Sequence, residues 1–502
     1  MIRSMETPTA DATQEHHYLA LKARDARFDG RFFTGVTSTG IYCRPVCKVR
    51  TPKQENCRFF ELAAQAEQAG FRPCLRCRPE LAPRGGTEAP PHWSTQDASA
   101  ILAAQAARLL DQPNTWCEGP ITMVQLAARL GISERHVRRI FEARWGISPL
   151  QYLQTRRLLA AKQWLTDTRL PISQVAELSG FTSLRRFNAA FAEHYRLEPR
   201  QLRKSGGTHG TSQVLKAAYR PPYDIAAMLG FFATRTIAGV EDVDLDSRAM
   251  ARTVTLQHAG ENLRGWVRMQ FLPEDHTVTL AVSESLSNAL AVVVPRLRDL
   301  LDLDADPMPI NTCLASRFPD TLGMRVPGTW DGFELAVRAI LGQQITVQAA
   351  RTLTQRLVAR FGAAWPTPFP GLYRSFPDAR TLSGATAQDL GELGIVRQRQ
   401  AAILVLARAV AGGELVLNSS APVPQTLAAL QSIPGIGPWT ANYIAMRALR
   451  WPDAFPAGDV ALQSALGVRD AKHPALEAER ASQAWKPWRS YAVLRAWSLS
   501  KS

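Results

Sequence analysis

No stretch of the 502-residue chain stays apolar over the ~18–20 residues that a membrane-crossing helix requires, and the longest candidate, Ile225 to Ala233, is far too short. Behind its first basic residue the N-terminus, MIRSMETPTADATQEHH, has no apolar signal core, so a cytoplasmic protein is expected, with no membrane partner. Cysteine is scarce, seven in all, which does not suggest a disulfide framework in a chain of this size. Acidic residues are also in short supply: 44 Asp+Glu stand against 59 Lys+Arg, a formal net charge of +15. The shortfall is concentrated in residues 1–215, which hold 30 basic and 19 acidic residues, whereas residues 216–502 hold 29 and 25. A basic half suits a polyanion partner, although a merely solvated basic surface has the same composition.

Core-forming material is plentiful, with 46% hydrophobic residues, and the length suits several domains. Ala82 to Gln96 and Ser205 to Gln213 are polar, Gly/Pro/Thr-rich stretches that read as linkers. Between them the apolar residues recur at helical spacing. RTVTLQHA, RGWVRMQFL and HTVTLAVS, within about 250–285, alternate and are β-branched, as strands are; helices punctuated by Gly and Pro return from about 330. The expected fold is therefore multidomain α+β: a small zinc-binding domain built on four cysteines (1–92), an all-α domain (93–204), a linker (205–214), an α+β domain (215–322) and an all-α domain (323–502).

Four of the cysteines fall in two close pairs, Cys43-x3-Cys47 and Cys74-x2-Cys77, with 26 residues between the pairs. Zinc takes four soft ligands tetrahedrally, and short-spaced pairs from two segments supply them, so one zinc is expected. Spacing alone favours a structural site. Cys57 reads as a buried free cysteine. The words around the pairs, FTGVTSTGIYCRPVC (Phe33–Cys47) and AGFRPCLRCRPE (Ala69–Glu80), resemble the N-terminal domain of the Ada family over roughly residues 18–82. That resemblance implies that Cys43 is both a zinc ligand and the nucleophile that takes a methyl group from a DNA methylphosphotriester, once per molecule. Arg44, Lys48 and Arg50 surround it and are candidates for flanking phosphates or for a solvated face.

Thr122 to Phe141 and Pro171 to Phe191 repeat one pattern: a helix, a turn with glycine (Gly131, Gly180), and a second helix with basic residues outward. These are Arg135, Arg138 and Arg139, then Arg185 and Arg186. Each copy is a helix-turn-helix pattern, with the second helix placed for the major groove of double-stranded DNA. Two copies joined by YLQTRRLLAAKQWL resemble the AraC-type domain, which implies promoter binding and RNA polymerase as a partner. For each arginine, phosphate contact outweighs base readout.

In Leu430 to Leu449, LQSIPGIGPWTANYIAMRAL, Pro434-Gly435-Ile436-Gly437 makes a tight turn between two helices. Gly435 and Gly437 let backbone approach a phosphate, at the N–H end of the second helix. This helix-hairpin-helix reads as sequence-independent DNA binding. Beyond it, Asp459 is the lone carboxylate of AFPAGDVALQSAL and on its own reads as a helix N-cap. Together with the hairpin, the loop Pro456-Ala457-Gly458-Asp459 resembles the Gly-Pro-Asp glycosylases, with a modest departure in order. YRPPYDIAAMLGFFATRTIAGVE (Tyr219–Glu241), VRAILGQQITVQAA (Val337–Ala350) and WKPWRSYAVLRAW (Trp485–Trp497) extend the resemblance to DNA-3-methyladenine glycosylase II, the AlkA type, over about 216–498.

That resemblance implies that Asp459 is the catalytic carboxylate and that Trp439, Tyr443 and Trp497 line the pocket for an electron-poor purine, though each ring also suits a core. It implies a monovalent cation on the backbone carbonyls of Gln431, Ile433 and Ile436, and a wedge in the turn Gly342–Ile345, with Gln344 and Ile345 both open as its tip. Strand-cutting relatives carry a lysine where this chain has Trp439, so a monofunctional glycosylase is expected. No Pro-Cys-His-Arg string is present, so O6-alkylguanine transfer is not expected. The whole reads as a monomeric, bacterial, nucleoid-associated alkylation-repair enzyme and regulator. The competing readings are a zinc-containing transcription regulator whose glycosylase half only grips DNA, and an oxidised-base lyase, which the missing lysine disfavours.

Overall fold

The computed structural model describes residues 10–84, 98–111, 122–205 and 213–499. Most of the two linker stretches, the boundary at 92/93 and Cys117 lie outside the described residues. The chain forms two compact units, Met1–Pro221 with Glu274–Thr277, and Pro222–Pro273 with Val278–Ser502.

The first unit begins with the helix Ala10–Ala23 and a small sheet that sequence reading did not anticipate. Its strands run in the order Cys57–Phe60, Phe33–Val36, Ile41–Cys43 and Arg72–Pro73. The first three pair antiparallel; the last pairs parallel to Ile41–Cys43, with Tyr42 opposite Pro73. That register positions the metal site. Cys43 ends one strand, Cys74 follows its parallel neighbour, and the Cys74 N–H donates to the Tyr42 carbonyl at 3.0 Å. Phe33, Tyr42, Ala63, Ala66 and Phe71 pack beneath, joined by Leu159 from the helix Pro149–Asp167. The zinc and helical segments of this unit therefore share apolar packing.

Both helix-turn-helix motifs form as expected, Met123–Leu130 with Glu134–Trp145 and Ile172–Leu178 with Leu184–Tyr195. Thr122, Ser133 and Ser183 cap three of these helices through side-chain oxygens. Gly131 ends the first at φ 68, a left-handed conformation that glycine adopts without strain. Leu126, Val137, Phe141 and Ile147 form the first motif's core.

In the second unit the strands Glu241–Asp244, Ala249–His258 and Glu261–Leu272 pair antiparallel in sequence order, and Thr277–Val282 lies on the far side of Glu261–Leu272. The three β-branched segments read from sequence all fall in this sheet. Helices follow, and one core joins Ile237 and Val240 to Phe333–Leu341, Leu357, Ile403, Leu430 and Ile444. Arg252, Glu241 and Glu334 are buried and, with the half-buried Arg338, form a mutually neutralising network, N···O 2.6–3.4 Å.

Candidate functional site

The Sγ atoms of Cys43, Cys47, Cys74 and Cys77 lie within 4.8 Å of one another. Four thiolates on ~2.3 Å arms of a tetrahedron sit ~3.8 Å apart, so the donor set fits one zinc ion. Cys43, Cys47 and Cys74 are buried, and Cys77 is half-buried. The Cys77 sulfur accepts the Arg44 N–H at 3.3 Å, and the N–H groups of Val49 and Cys77 bond to Cys47 and Cys74. Cys57 stays outside the cluster. Burial pushes its thiol up, and the thiol donates to the Lys53 carbonyl at 3.3 Å.

Of the three basic residues placed near the cluster, Lys48 and Arg50 are exposed. Arg44 is not, and the phosphate role expected for it is corrected here. Its side chain is buried, its guanidinium pairs with Asp29 through Nε at 2.8 Å and through Nη2, and its Nη1 donates to the Cys77 carbonyl at 3.0 Å. An arginine so buried and so paired braces the cysteine loops and does not face solvent. Sequence reading also missed the groups that tie this cluster to the helices. Glu80, three residues past Cys77, pairs with Lys162 at 2.5 Å, both fully buried, and with Arg78 at 2.9 Å. Glu67 accepts from Tyr42 Oη at 2.8 Å and from Thr155, and pairs with His194 at 2.9 Å. Burial would lower the His194 pKa, but Glu67 outweighs it and raises it. Arg135, Arg138, Arg139, Arg185 and Arg186 are all exposed on their second helices.

In the second unit the hairpin lies between the helices Val423–Gln431 and Pro438–Arg447. Gly435 takes φ +93, and Gly437 is exposed, with open space where a Cβ would stand. The Ile433 carbonyl accepts the Ile436 N–H at 3.0 Å, which closes the turn. Gln344 is exposed with φ +55, and Ile345 is half-buried.

Asp459 does cap the helix Val460–Leu466, accepting the Leu462 N–H at 2.7 Å through Oδ1. It does more. Trp439 Nε1 donates to Oδ2 at 2.8 Å, and Trp497 Nε1 donates to Oδ1 at 2.9 Å. The half-buried carboxylate is thus held by both indoles. Tyr443 stacks on Trp439 with centroids 5.4 Å apart and planes 7° from parallel, and lies 6.3 Å from the Trp497 ring. The three aromatic residues picked from sequence therefore form one cluster beside Asp459.

Two arginines beside this cluster were missed. Arg447 donates to Tyr443 Oη at 2.6 Å and to the carbonyls of Pro327 and Gly328, each at 2.8 Å. Arg235 lies over Phe231 at 3.8 Å. Burial alone would push the Tyr443 phenol up; Arg447 and Arg235 outweigh it and hold the phenol below its ordinary value. Arg447 stands four residues after Tyr443, on the same helix face, so that pairing was open to sequence reading.

Comparison with known proteins agrees with this layout. The family model for the metal-binding domain of Ada matches residues 16–80, and a helix-turn-helix domain model matches 126–205. The AlkA N-terminal domain matches 214–331, and the HhH-GPD superfamily of base excision DNA repair proteins matches 337–490. A protein of Mycobacterium tuberculosis, described as a probable bifunctional transcriptional activator/DNA repair enzyme AlkA, is 35% identical over 503 residues, 96% of each chain. The chain belongs to this bifunctional Ada–AlkA family. Each half of the Ada–AlkA chain also has separate relatives. DNA-3-methyladenine glycosylase 2 of Escherichia coli is 37% identical over 282 residues, 56% of this chain and 95% of its own. The bifunctional activator/repair enzyme Ada of the same organism is 36% identical over 145 residues, 29% of this chain and 36% of its own. The Ada–AlkA front unit is a zinc- and DNA-binding unit, and no helix among the described residues is long and apolar enough to cross a membrane.

Proposed function

We propose that this chain repairs and senses DNA alkylation: its second unit hydrolyses the glycosidic bond of N-alkylated purines, and its first takes a methyl group from a DNA methylphosphotriester and then activates transcription. The observation that carries the reading is the Asp459 carboxylate, oriented by two indole N–H groups within a cluster of three aromatic rings.

N-alkylation at N3 or N7 makes a purine cationic and a good leaving group. The lesion leaves the stack, and its electron-poor ring lies among Trp439, Tyr443 and Trp497. As the C1′–N bond breaks, its electron pair stays with the base and the sugar gains oxocarbenium character. Asp459 stabilises that cation and helps water add at C1′. With Trp439 where a lysine would start an imine, the product is an abasic site. Exposure and the left-handed backbone favour Gln344 over Ile345 as the wedge. Gly435, Gly437 and the carbonyls of Gln431, Ile433 and Ile436 would hold a backbone phosphate, the last three through a monovalent cation.

In the first unit the four cysteines would hold the zinc, which keeps thiols ionised at neutral pH. The Cys43 sulfur attacks the methyl carbon, the C–O bond breaks, and its electrons go to the phosphate oxygen. The backbone N–H bonds at Cys47, Cys74 and Cys77 draw charge from those sulfurs, which supports Cys43 as the nucleophile. Lys48 and Arg50 would meet flanking phosphates, and the five helix arginines would meet phosphates and bases of the promoter. The remaining parts of the proposal are domains at 1–92, 93–204, 215–322 and 323–502, a monomer, a cytoplasmic, nucleoid-associated location and contact with RNA polymerase.

The glycosylase reading is tested by incubating the chain with methylated duplex DNA and chromatographing the released bases. Free 3-methyladenine is expected. DNA binding without release would leave a regulator whose second unit only grips DNA.

A further inference from the structure

The residue before Gln344 joins three elements. Gln343 Nε2 donates to the Gly435 carbonyl at 2.8 Å, inside the hairpin, and to Thr440 Oγ1 at 2.9 Å, in the first turn of the helix after it. The backbone carbonyl of Gln343 accepts from Arg399, on the helix Arg397–Ala411. The hairpin also lies close to that helix, because a Cβ at Gly435 would come within 3.3 Å of Ala402 Cβ. Both hydrogens of the Gln343 amide are spent, one on each partner, so the turn that carries Gln344 is bonded directly to the turn that faces phosphate.

We propose that Gln343 is a positioning residue that fixes the Gln344 turn to the hairpin, so that gripping the backbone and filling the vacated stack become one rigid-body event. It thereby sets selectivity for lesions that must be extruded from an intact duplex. This rests on reading Gln344 as the wedge and the hairpin as the phosphate grip. If the two turns were free to shift, phosphate contacts would still form, but the wedge would reach the stack in many orientations and extrusion would lose its driving contact.

The test uses the full chain and one alkylated base in two settings, paired in a duplex and already extrahelical in a bulge. Gln343→Ala is expected to slow excision of the paired lesion about tenfold or more, while leaving the bulged lesion within ~2-fold, since misplacement of a positioned group costs rate only where its placement is needed. A 2-aminopurine beside the paired lesion should lose its fluorescence rise on binding. Thr440→Val, which removes one partner and keeps the side-chain shape, should show a smaller loss with the same paired-over-bulged bias. Gln344→Ala should share that bias. Equal losses on both substrates for Gln343→Ala and Thr440→Val, or no loss on either, while Gln344→Ala keeps the bias, would overturn the proposal and leave the wedge reading intact. Absence of the bias in Gln344→Ala would overturn the wedge reading, and the proposal with it.

Discussion

Asp459→Asn is expected to abolish base release, by at least ~10³-fold or ~4 kcal/mol of transition-state stabilisation, while DNA affinity stays near that of the unaltered chain. The substitution separates the two roles of this residue. As a cap it accepts the Leu462 N–H, and asparagine caps a helix about as well as aspartate. Folding of Val460–Leu466 should therefore survive; what is lost is the negative charge and, because an amide has one acceptor oxygen, the Trp439 N–H bond. Alanine would confound the two by removing the cap as well. The indoles give a graded control. Trp439→Phe and Trp497→Phe each keep a ring and remove one N–H from the carboxylate. A hydrogen bond to a charged group is worth ~1.5–3 kcal/mol, so losses of about 10- to 100-fold are expected, well short of the asparagine variant. Single-turnover release from methylated duplex DNA, with binding measured in parallel, checks all three. Normal excision by Asp459→Asn would remove the catalytic assignment. Methyl uptake at Cys43 should be unchanged, since Cys43 and Asp459 belong to different units.

Methylation of Cys43 is expected to strengthen operator binding by the first unit. A thiolate becomes a neutral thioether, so the cysteine cluster loses one negative charge. At ~8 Å from a phosphate and an effective dielectric of ~20, that removes roughly 2 kcal/mol of repulsion. Salt screening reduces it, but even half is about a fivefold gain in affinity, and further nearby phosphates add to it. With Arg44 buried, the exposed basic residues beside the four cysteines are Lys48, Arg50 and Arg76. The buried Glu80–Lys162 pair holds the cysteine loops against the helix Pro149–Asp167, and Glu67–His194 ties the zinc segment to the helix Leu184–Tyr195, which carries Arg185 and Arg186, so the cluster's charge acts at a set place. Titration of operator DNA at several salt concentrations, with methylated and unmethylated protein, measures the effect. Equal affinities at low salt would leave the first unit a repair module without a switch.

Much of this was legible because the informative residues are close in sequence. Two cysteine pairs, two Gly-turned helix pairs and one Pro-Gly-Ile-Gly hairpin each carry their geometry within ~20 residues, and the three alternating strand segments carry theirs in their period. What escaped depends on chain segments that only the fold brings together. Arg44 stands beside Cys43 in a basic, polar stretch and reads as surface, but its partner Asp29 lies 15 residues upstream. Trp439 and Trp497 were picked as flat rings, whereas their N–H groups serve a carboxylate 20 and 38 residues away. Lys162 sits in a helix whose sequence suggests an exposed lysine, and only the docking of Glu80 onto that helix makes its burial tolerable. Gln343 pairs across 92 residues with a backbone carbonyl, a partner that leaves no mark on residue type.

One chain is proposed to carry both alkylation chemistries. Mass spectrometry of the complete reaction of the chain with methylated DNA tests it most directly, reading protein and released bases in the same sample. Protein heavier by one methyl group in place of one hydrogen is expected, mapped to the peptide holding Cys43, together with free methylated purines that continue to accumulate after the protein mass has stopped changing. Protein of unchanged mass, or no free methylated purine, would contradict it.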